Sequence, residues 1–309
     1  MSAPVVSVCV PIFNNGDVVD ALFDSLARQE FDEPWEVVVA DNGSSDDSRE
    51  RVLAWTDRLP SLRLVDATDV AGQSHARNRA AEEAGAEYLL FVDADDVVTD
   101  GRLAALAGGL RRCGLASGPY DEETLNDKCA RAWAMPHRPK DHLPTVFDFL
   151  PAALGNNFAI RASVLREVGG WNEDYHYGED VELSWRSQLA GHELCFVPEA
   201  VVQYRHRADI RSLARQQYFR AYGRGPAAGH YLSRDFGPHG YDPPSEAGRF
   251  LERLLFMIRN LPLIPFSRLR RGLWVKHAAY GWGWLRARLE GKHRLQRSMT
   301  TDPGATGGS

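Results

Sequence analysis

Uninterrupted apolar runs that end in polar or acidic residues recur through the first third of the chain. The clearest covers 88–92 (YLLFV) and leads directly into a cluster of aspartates. Similar runs cover 5–13 (VVSVCVPIF) and 35–40 (WEVVVA). Continuous apolar runs of this length, bounded by charge, predict strands that are buried on both faces, as in a parallel sheet.

Segments with helical character separate these predicted strands. Apolar residues recur at helical spacing over 18–26, and 74–84 (SHARNRAAEEA) is a second candidate helix. A shorter strand is predicted at 62–65. The alternation of strands and helices, with polar residues at each strand's carboxyl end, favours a doubly wound α/β domain. Such a domain binds its ligand along one edge of the sheet.

Three aspartates, Asp93, Asp95 and Asp96, follow the strand predicted at 88–92. Carboxylates packed at a strand end repel one another unless a cation lies between them. Mg²⁺ and Mn²⁺ prefer hard oxygen ligands and commonly share them with substrate phosphates, so a divalent metal site is one interpretation. An acidic turn that caps the following helix is the other, and this segment alone leaves both open.

Four stretches of sequence, in order along the chain, resemble the family 2 glycosyltransferases, whose fold is known as GT-A. They are VSVCVPIFNN, VVVADNGSSDDS, GQSHARNRAAEEAGAEYLLFVDADD and the segment from Gly155 to His206. Together they cover roughly the first 210 residues. The resemblance implies a GT-A fold, which is a doubly wound mixed α/β sheet with a Rossmann-like nucleotide-binding half and an acceptor half.

The resemblance also implies a donor site for a nucleotide sugar. Asp41 would accept a hydrogen bond from the nucleobase, and Pro11 and Phe13 would line the base pocket. Arg77 and Asn78 would lie near the nucleotide and its phosphates. The implied donor-site residues are Pro11, Phe13, Asn15, Asp41, Gly43, Arg77, Asn78, Asp93, Ala94, Asn156 and Asn157. Simpler roles stay open: Asp41 as a helix cap, Arg77 as a solvated helix residue, and the two asparagines as loop-shaping residues.

The same resemblance implies metal-dependent catalysis. Asp93 would face the ribose or sugar, Asp95 would bind Mn²⁺ or Mg²⁺, and His206 would be a further metal ligand. Glu179 and Asp180 would be catalytic, with Asp180 as the base. A metal neutralises the leaving diphosphate, a carboxylate takes the proton of the acceptor hydroxyl, and attack opposite the leaving group inverts the anomeric carbon. The alternatives are first-turn helix acids for the pair and a surface position for His206.

The donor and acceptor are only partly indicated. A carboxylate such as Asp41 accepts readily from the ring N–H of uracil or thymine, so UDP- and dTDP-sugars are preferred and GDP-sugars come next. The acceptor stays open between a lipid-linked saccharide, a natural product and a peptide. The segment after His206 lacks the QxxRW element of processive relatives, which favours transfer of one sugar rather than polymerisation.

Two other function classes compete with this interpretation. A sugar-nucleotide pyrophosphorylase has a related fold and uses Mg²⁺, but it would carry a glycine-rich basic loop after the first strand, where this chain has VPIFNNGDVVD. A non-catalytic nucleotide-binding or scaffold module of the same fold would be indicated by loss of the acidic motifs. Asp93, Asp95, Glu179 and Asp180 are all present.

Charge divides the chain unevenly. Residues 247–297 hold 12 Lys and Arg against 2 acids, although the whole chain carries a net charge of −6. Basic segments rich in aliphatic and aromatic residues are candidates for anionic membrane surfaces; packing on the catalytic domain or across a homodimer is the alternative. The acidic remainder argues against nucleic acid. We predict a catalytic domain over 1–215, a basic amphipathic helical region over 216–297 and a disordered tail over 298–309.

Cysteine usage and the chain's hydropathy bear on the compartment. Cys9, Cys113, Cys129 and Cys195 stand singly in the sequence, without metal or redox spacing, which predicts thiols in a reducing cytoplasm. Neither a signal peptide nor an apolar stretch of about 18 residues is evident. These features predict a cytoplasmic protein, with a peripheral position on the inner face of the membrane if the basic region binds lipid.

Overall fold

The structure is a computed structural model that describes residues 3–134, 138–146, 149–175, 177–231 and 246–290. Two compact units divide the chain after Ser212. The strands are β1 (Val6–Ile12), β2 (Trp35–Asp41), β3 (Arg63–Asp66), β4 (Tyr88–Phe91), β5 (Val97–Val98), β6 (Leu115–Ser117), β7 (Tyr120–Asp121), β8 (Thr145–Val146), β9 (Leu150–Pro151), β10 (Phe158–Arg161), β11 (Leu194–Phe196) and β12 (Val202–Gln203).

The helices account for most of the remaining described residues. They are α1 (Val19–Ala27), α2 (Ser48–Leu53), α3 (Gln73–Glu83), α4 (Arg102–Leu110), α5 (Lys128–Trp133), α6 (Ala162–Glu167), α7 (Glu179–Leu189), α8 (Ile210–Tyr231), α9 (Glu246–Asn260) and α10 (Arg268–Leu289). Two 3-10 turns cover Gly155–Asn157 and Leu261–Leu263. The strands and helices predicted before residue 92 are therefore confirmed within a few residues of their ends.

A seven-stranded mixed sheet forms the centre of the first unit, in the order β11-β6-β10-β4-β1-β2-β3. β1 pairs in parallel with β2 and β4, and β2 with β3, whereas β10 runs antiparallel to β4 and β6. The predicted doubly wound mixed sheet is confirmed. Because β2 and β4 flank β1 in parallel, Asp41 and the aspartates after Phe91 lie along one edge of the sheet.

Side chains of β1 alternate between two cores, as the two-residue period of a strand requires. Val8 and Val10 pack in a core with Leu22 of α1, while Cys9 packs in a second core with Ala76 of α3. Full burial of a valine or leucine side chain is worth roughly 1.5–3 kcal/mol. Because one core lies on each face of the sheet, both faces are covered, and the polar side chains at the carboxyl ends of the strands lie along its edge.

Two smaller sheets complete the first unit. β12 lies between β5 and β7, antiparallel to the first and parallel to the second, and β8 pairs with β9. Tyr204 N–H, just after β12, donates to the Asp121 carbonyl over 2.9 Å. The chain after β12 therefore lies close to the turn that follows β4, because β12 pairs with β5 just beyond that turn.

A disulfide joins Cys113 and Cys195, whose Cα atoms lie 6.0 Å apart. Cys113 precedes β6, Cys195 lies in β11, and the two strands pair in parallel, so the cysteines meet across 82 residues of sequence. The prediction of four single thiols was therefore wrong for this pair, because strand pairing creates a neighbour that sequence spacing does not reveal. Cys9 and Cys129 are free thiols. Cysteine usage thus no longer supports a reducing compartment.

The second unit contains most of α8, together with α9 and α10, which confirms the helical carboxyl-terminal appendage. Trp274 of α10 donates its indole N–H to the Met257 carbonyl of α9 over 3.2 Å. None of the described helices combines the length and apolar character needed to cross a bilayer. The tail predicted to be disordered, 298–309, lies outside the described residues.

Thiol counting tests the disulfide. Denatured without reductant, the wild-type protein should react with Ellman's reagent at two thiols, Cys9 and Cys129. The variant Cys113→Ser is the internal control: it leaves Cys195 without its disulfide partner and should therefore show a third reactive thiol. Four reactive thiols in the unreduced wild-type protein would contradict the pairing.

Candidate functional site

Arg77 is a buried cation at the centre of the site. It lies on α3, is 2% exposed, and donates from Nη1 to Glu179 Oε1 over 2.8 Å and from Nη2 to Asp93 Oδ1 over 3.0 Å. Its Cζ lies 4.6 Å above the centre of the Trp171 ring. Gly155 leaves room for the guanidinium, because a Cβ there would lie 2.6 Å from Nη2. Arg77 thus joins two acidic segments from distant parts of the chain.

The charges around Arg77 depend on one another. Burial works against its positive charge, but Asp93, Glu179 and Asp180 outweigh that effect and raise the pKa of Arg77. Burial and the neighbouring Asp180 raise the pKa of Glu179, while Arg77 opposes the shift. Breaking one partner of such a buried pair leaves an uncompensated charge, which is costly. Removing either the cation or its carboxylates would therefore destabilise the fold.

The three aspartates after β4 form one cluster. A carboxylate oxygen from each of Asp93, Asp95 and Asp96 lies within 4.8 Å of the other two. Asp93 Oδ1 also accepts from Gln73 Nε2 over 2.9 Å, and Asp95 Oδ2 pairs with Arg207 over 2.5 Å. These oxygens are hard ligands of the kind that Mg²⁺ and Mn²⁺ take, so the cluster fits a divalent metal, with Asp93 and Asp95 the more exposed members.

Asp96 is the buried member of the cluster. It accepts from Asn156 Nδ2 over 2.5 Å and from the Arg205 backbone N–H over 2.8 Å. Burial, followed by repulsion from the neighbouring Asp95 and Asp93, raises the pKa of Asp96 well above its usual range. The sequence placed Asp96 in the acidic cluster but gave it no role of its own in the donor or metal site.

The two predicted asparagines lie in different environments. Asn156 reaches the aspartate cluster through Asp96, but Asn157 is fully buried. Its Oδ1 accepts from Arg102 Nε over 3.0 Å, and its Nδ2 donates to the Ala200 carbonyl over 2.8 Å. Ala94 is also buried, in the core. The contacts of Asn157 match the loop-shaping alternative.

Asp180 is the second residue of α7, and Gly178, which precedes the helix, lies in the left-handed region at φ +84°. Its Oδ2 accepts from the Gly155 backbone N–H over 2.9 Å, and its Oδ1 accepts from the Val181 N–H over 2.8 Å. Glycine adopts this φ without steric cost. The backbone thus holds Asp180 in one orientation, next to the Glu179–Arg77 pair.

His206 does not join the aspartate cluster. Its Nε2 lies 3.5 Å from Glu122 Oε1, its backbone N–H donates to Asn126 Oδ1 over 2.7 Å, and its ring packs edge-on against Tyr204. It borders a cavity of about 260 Å³ lined by Glu122, Glu123, Arg131, Ala134, Arg138, Lys140 and His206. This geometry does not support its predicted role as a metal ligand.

Asp41 ends β2 and is 1% exposed. Its Oδ1 accepts from the Ser44 N–H over 3.0 Å, as a cap would, and its Oδ2 accepts from Arg49 Nη1 over 2.6 Å. Arg49 is 42% exposed. Gly43, between Asp41 and Ser44, takes φ +91°, which turns the chain tightly at this edge. Both oxygens of Asp41 are therefore already engaged.

The loops after β1 and β2 are linked by hydrogen bonds. Asn15 Oδ1 accepts from the Phe13 N–H, and the Asn15 N–H donates to Ser48 Oγ, each over 2.8 Å. Phe13 is 52% exposed, whereas Pro11 is buried in β1. Of the two residues predicted to line a base pocket, only Phe13 presents its ring to solvent.

Asn78 and His75, on the same helix as Arg77, bind the segment around Trp171. Asn78 donates to the Trp171 carbonyl over 2.9 Å and accepts its N–H over 2.8 Å. His75 lies between Asp69 (2.8 Å) and Glu173 (3.1 Å). Asn78 therefore fixes the tryptophan beneath Arg77, a contact that sequence reasoning did not anticipate.

Comparison with known sequences gives the site a family context. Residues 7–169 match the family described as Glycosyl transferase family 2. The succinoglycan biosynthesis protein ExoA of Rhizobium meliloti is 28% identical over 89% of this chain and 84% of its own length. The pre-mycofactocin glycosyltransferase of Mycobacterium tuberculosis is 28% identical over 69% of this chain. This chain covers 46% of that protein.

Solved structures resemble the fold. The mannosyltransferase PcManGT from Pyrobaculum calidifontis, in complex with GDP-Man and Mn²⁺, matches with a TM-score of 0.62 and 19% identity over 94% of this chain and 88% of that one. S. aureus TarS 1–349, in complex with UDP, matches with a TM-score of 0.55 and 17% identity over 95% and 93%. These likenesses support the GT-A fold.

The Arg77 bridge has a measurable energetic consequence. Arg77→Met should lower the free energy of unfolding by about 3–5 kcal/mol, because it leaves buried carboxylates without their cation. Urea denaturation monitored by tryptophan fluorescence measures the change. Arg79→Met, on an exposed ion pair of the same helix with Glu82, is the matched control and should leave the midpoint nearly unchanged. Equal effects of the two substitutions would contradict a central role for Arg77.

Proposed function

The chain belongs to glycosyltransferase family 2, and we propose that it transfers a single sugar from a nucleotide-diphosphate sugar to an acceptor hydroxyl, with inversion. The main support is the Arg77 bridge, because one guanidinium binds both Asp93 of the aspartate cluster and Glu179 of the Glu179–Asp180 pair. A transferase needs these two acidic groups in one place, the first to bind the metal that neutralises the leaving diphosphate and the second to activate the acceptor hydroxyl. A pyrophosphorylase or an inactive scaffold needs no such pairing.

We assign a divalent metal, Mn²⁺ or Mg²⁺, to Asp93 and Asp95. The support is the oxygen-only donor set of the cluster and the Mn²⁺ in the PcManGT complex. When bound, the ion supplies Lewis acidity and neutralises charge on the leaving diphosphate. Asp96, held by Asn156 and the Arg205 N–H, supports the turn that presents the other two aspartates. His206 is left out of this metal site.

Asp180 is assigned as the base. Acceptor hydroxyls are weak nucleophiles, so a carboxylate within hydrogen-bond reach must take the proton as the glycosidic bond forms. The Gly155 and Val181 N–H groups hold both oxygens of Asp180 in place. Glu179 is committed to Arg77 and orients the start of α7. Attack from the Asp180 side, opposite the leaving group, inverts the anomeric carbon.

The donor nucleotide is assigned to the edge formed by the β1 and β2 loops. Phe13 offers an exposed ring to a base, and Asp41 would read the ring N–H of uracil or thymine, which favours UDP or dTDP over GDP. For Asp41 to do so, Arg49 must share its carboxylate, which has about four acceptor sites. The acceptor belongs to one of three classes: a lipid-linked saccharide, a natural product or a peptide.

We further propose that the second unit binds an anionic membrane surface peripherally. Its described basic side chains include Arg259, Arg270 and Arg271. Apolar side chains are exposed beside them, and Phe266, at the turn between α9 and α10, is 86% exposed. The exposed set is Leu254, Leu255, Ile258, Leu261, Leu263, Phe266, Leu269, Trp282, Leu285 and Leu289. Exposed apolar and basic groups together suit an anionic lipid interface. The cytoplasmic location stays a prediction.

A donor panel tests the proposed reaction. Release of nucleotide from UDP-, dTDP-, GDP- and CMP-sugars, measured with and without Mn²⁺, should be strongest for a UDP- or dTDP-sugar and should require the metal. Addition of EDTA should abolish it, and excess Mn²⁺ should restore it. Metal-independent release, or no release with any sugar nucleotide and acceptor extract, would contradict the proposal.

Replacement of the base gives a second test. Asp180→Asn keeps the shape of the side chain but cannot accept a proton, so kcat should fall by about 10²–10⁴-fold. Nucleotide affinity, followed by calorimetry, should barely change. The exposed neighbour Asp174→Asn is the matched control and should retain the wild-type kcat. Collapse of donor binding in Asp180→Asn would assign this residue to the donor site instead.

Vesicle binding tests the membrane surface. Wild-type protein should sediment with anionic vesicles and be released by high salt, because each Lys or Arg near the surface contributes about 1 kcal/mol that ionic strength screens. Ile258→Ser with Phe266→Ser should weaken binding by removing exposed apolar area, while Val70→Ser on the first unit should not. Unchanged binding of the double variant, or a concentration-dependent dimer without vesicle binding, would contradict the membrane role.

A further inference from the structure

The segment after β12 crosses the aspartate turn and binds it at three points. The Arg205 N–H donates to Asp96 Oδ1, and Arg205 Nε donates to the Asp95 carbonyl, each over 2.8 Å. Arg207 Nη1 lies 2.5 Å from Asp95 Oδ2. Residues more than 100 positions apart in sequence are thus brought into direct contact. The side chain of Asp95 is the one carboxylate among these contacts that pairs with a guanidinium.

The two arginines at the cluster differ in how firmly they are held. Arg77 is 2% exposed and bridges two carboxylates, so it is a permanent part of the fold. Arg207 is 40% exposed, and Asp95 is its carboxylate partner within hydrogen-bond distance. The Asp95 side chain is only 13% exposed, but water can reach the Arg207 guanidinium and replace its hydrogen bonds once another cation neutralises Asp95. Arg207 can therefore leave its carboxylate partner more easily than Arg77 can.

We propose that Arg207 is a displaceable internal cation, which neutralises Asp95 in the metal-free protein and leaves it when Mn²⁺ binds. Arg207 and the metal then compete for one carboxylate. The inference rests on the proposed function, because that function assigns the metal to this cluster. Once released, the guanidinium remains beside the cluster with five N–H donors, a geometry suited to phosphate oxygens. The N–H donors of Arg207 would thus be available to donor phosphate oxygens only when the metal is present.

Competition predicts tighter metal binding when the competitor is removed. Free Mn²⁺ is measured by its EPR signal during titration of the full-length protein, without nucleotide. Arg207→Gln should lower the Kd for Mn²⁺ by roughly two- to fivefold, the range expected from loss of a partly exposed ion pair. Arg207→Lys keeps a cation at the same position and should stay near the wild-type value. Asp95→Ala removes the shared ligand and should abolish this binding.

Arg205→Gln separates competition from a general charge effect, because it removes a nearby positive charge without freeing a carboxylate side chain. A gain in Mn²⁺ affinity equal to that of Arg207→Gln would overturn the proposal. Unchanged or weaker affinity in Arg207→Gln would also overturn it, while leaving Mn²⁺-dependent nucleotide release, and so the proposed function, intact. If the wild type binds no Mn²⁺ and releases nucleotide without it, the metal assignment and this inference fail together.

Thermal unfolding gives an independent readout if Arg207→Gln folds less well. Without metal, the variant should melt at a lower temperature than the wild type, because Asp95 has lost its partner cation. Mn²⁺ should then raise its melting temperature more than it raises that of the wild type, since at one ligand concentration a tighter-binding ligand stabilises the folded state more. An equal or smaller increase in the variant would contradict the exchange.

Discussion

The site depends on burying one positive charge among carboxylates. Arg77 is almost fully buried, so its guanidinium must be neutralised inside the fold, and Asp93 and Glu179 do this at its two terminal nitrogens, Nη2 and Nη1. The requirement is mutual, because Glu179 is buried as well and would be costly without the cation. The helix α3, the turn after β4 and the start of α7 are therefore held in fixed relative positions.

Other parts of the first unit serve this arrangement. Trp171 provides an aromatic surface beneath the guanidinium, and it is itself packed against Phe91 and Phe158 with ring centres 5.0 Å away. Asn78 fixes the tryptophan backbone from the same helix that carries Arg77. The core, the helix and the acidic motifs thus share one network, which brings acids far apart in sequence to one place.

The central strands were predictable because their apolar runs reflect burial on both faces, and the acids at their ends marked the edge of the sheet where the candidate site lies. The burial of Arg77 could not be predicted, because Arg79 lies on the same helix in a similar local sequence yet is far more exposed. Arg77 lies 102 residues before its partner Glu179, and 82 residues of sequence separate Cys113 from Cys195. Contacts over such distances leave no local sequence signal. The two-residue strands β5, β7 and β12 are too short to show periodicity, so the placement of Arg207 and His206 beside them escaped prediction.

We propose that Arg77 holds the acidic motifs together around a metal and the donor diphosphate. Anomalous diffraction at the manganese edge, from crystals grown with Mn²⁺ and UDP, tests this arrangement. An anomalous peak is expected within coordination distance of Asp93 and Asp95, with Arg77 still bonded to Glu179. A peak elsewhere, for example at Glu122 and His206, or an Arg77 that has left Glu179, would contradict it.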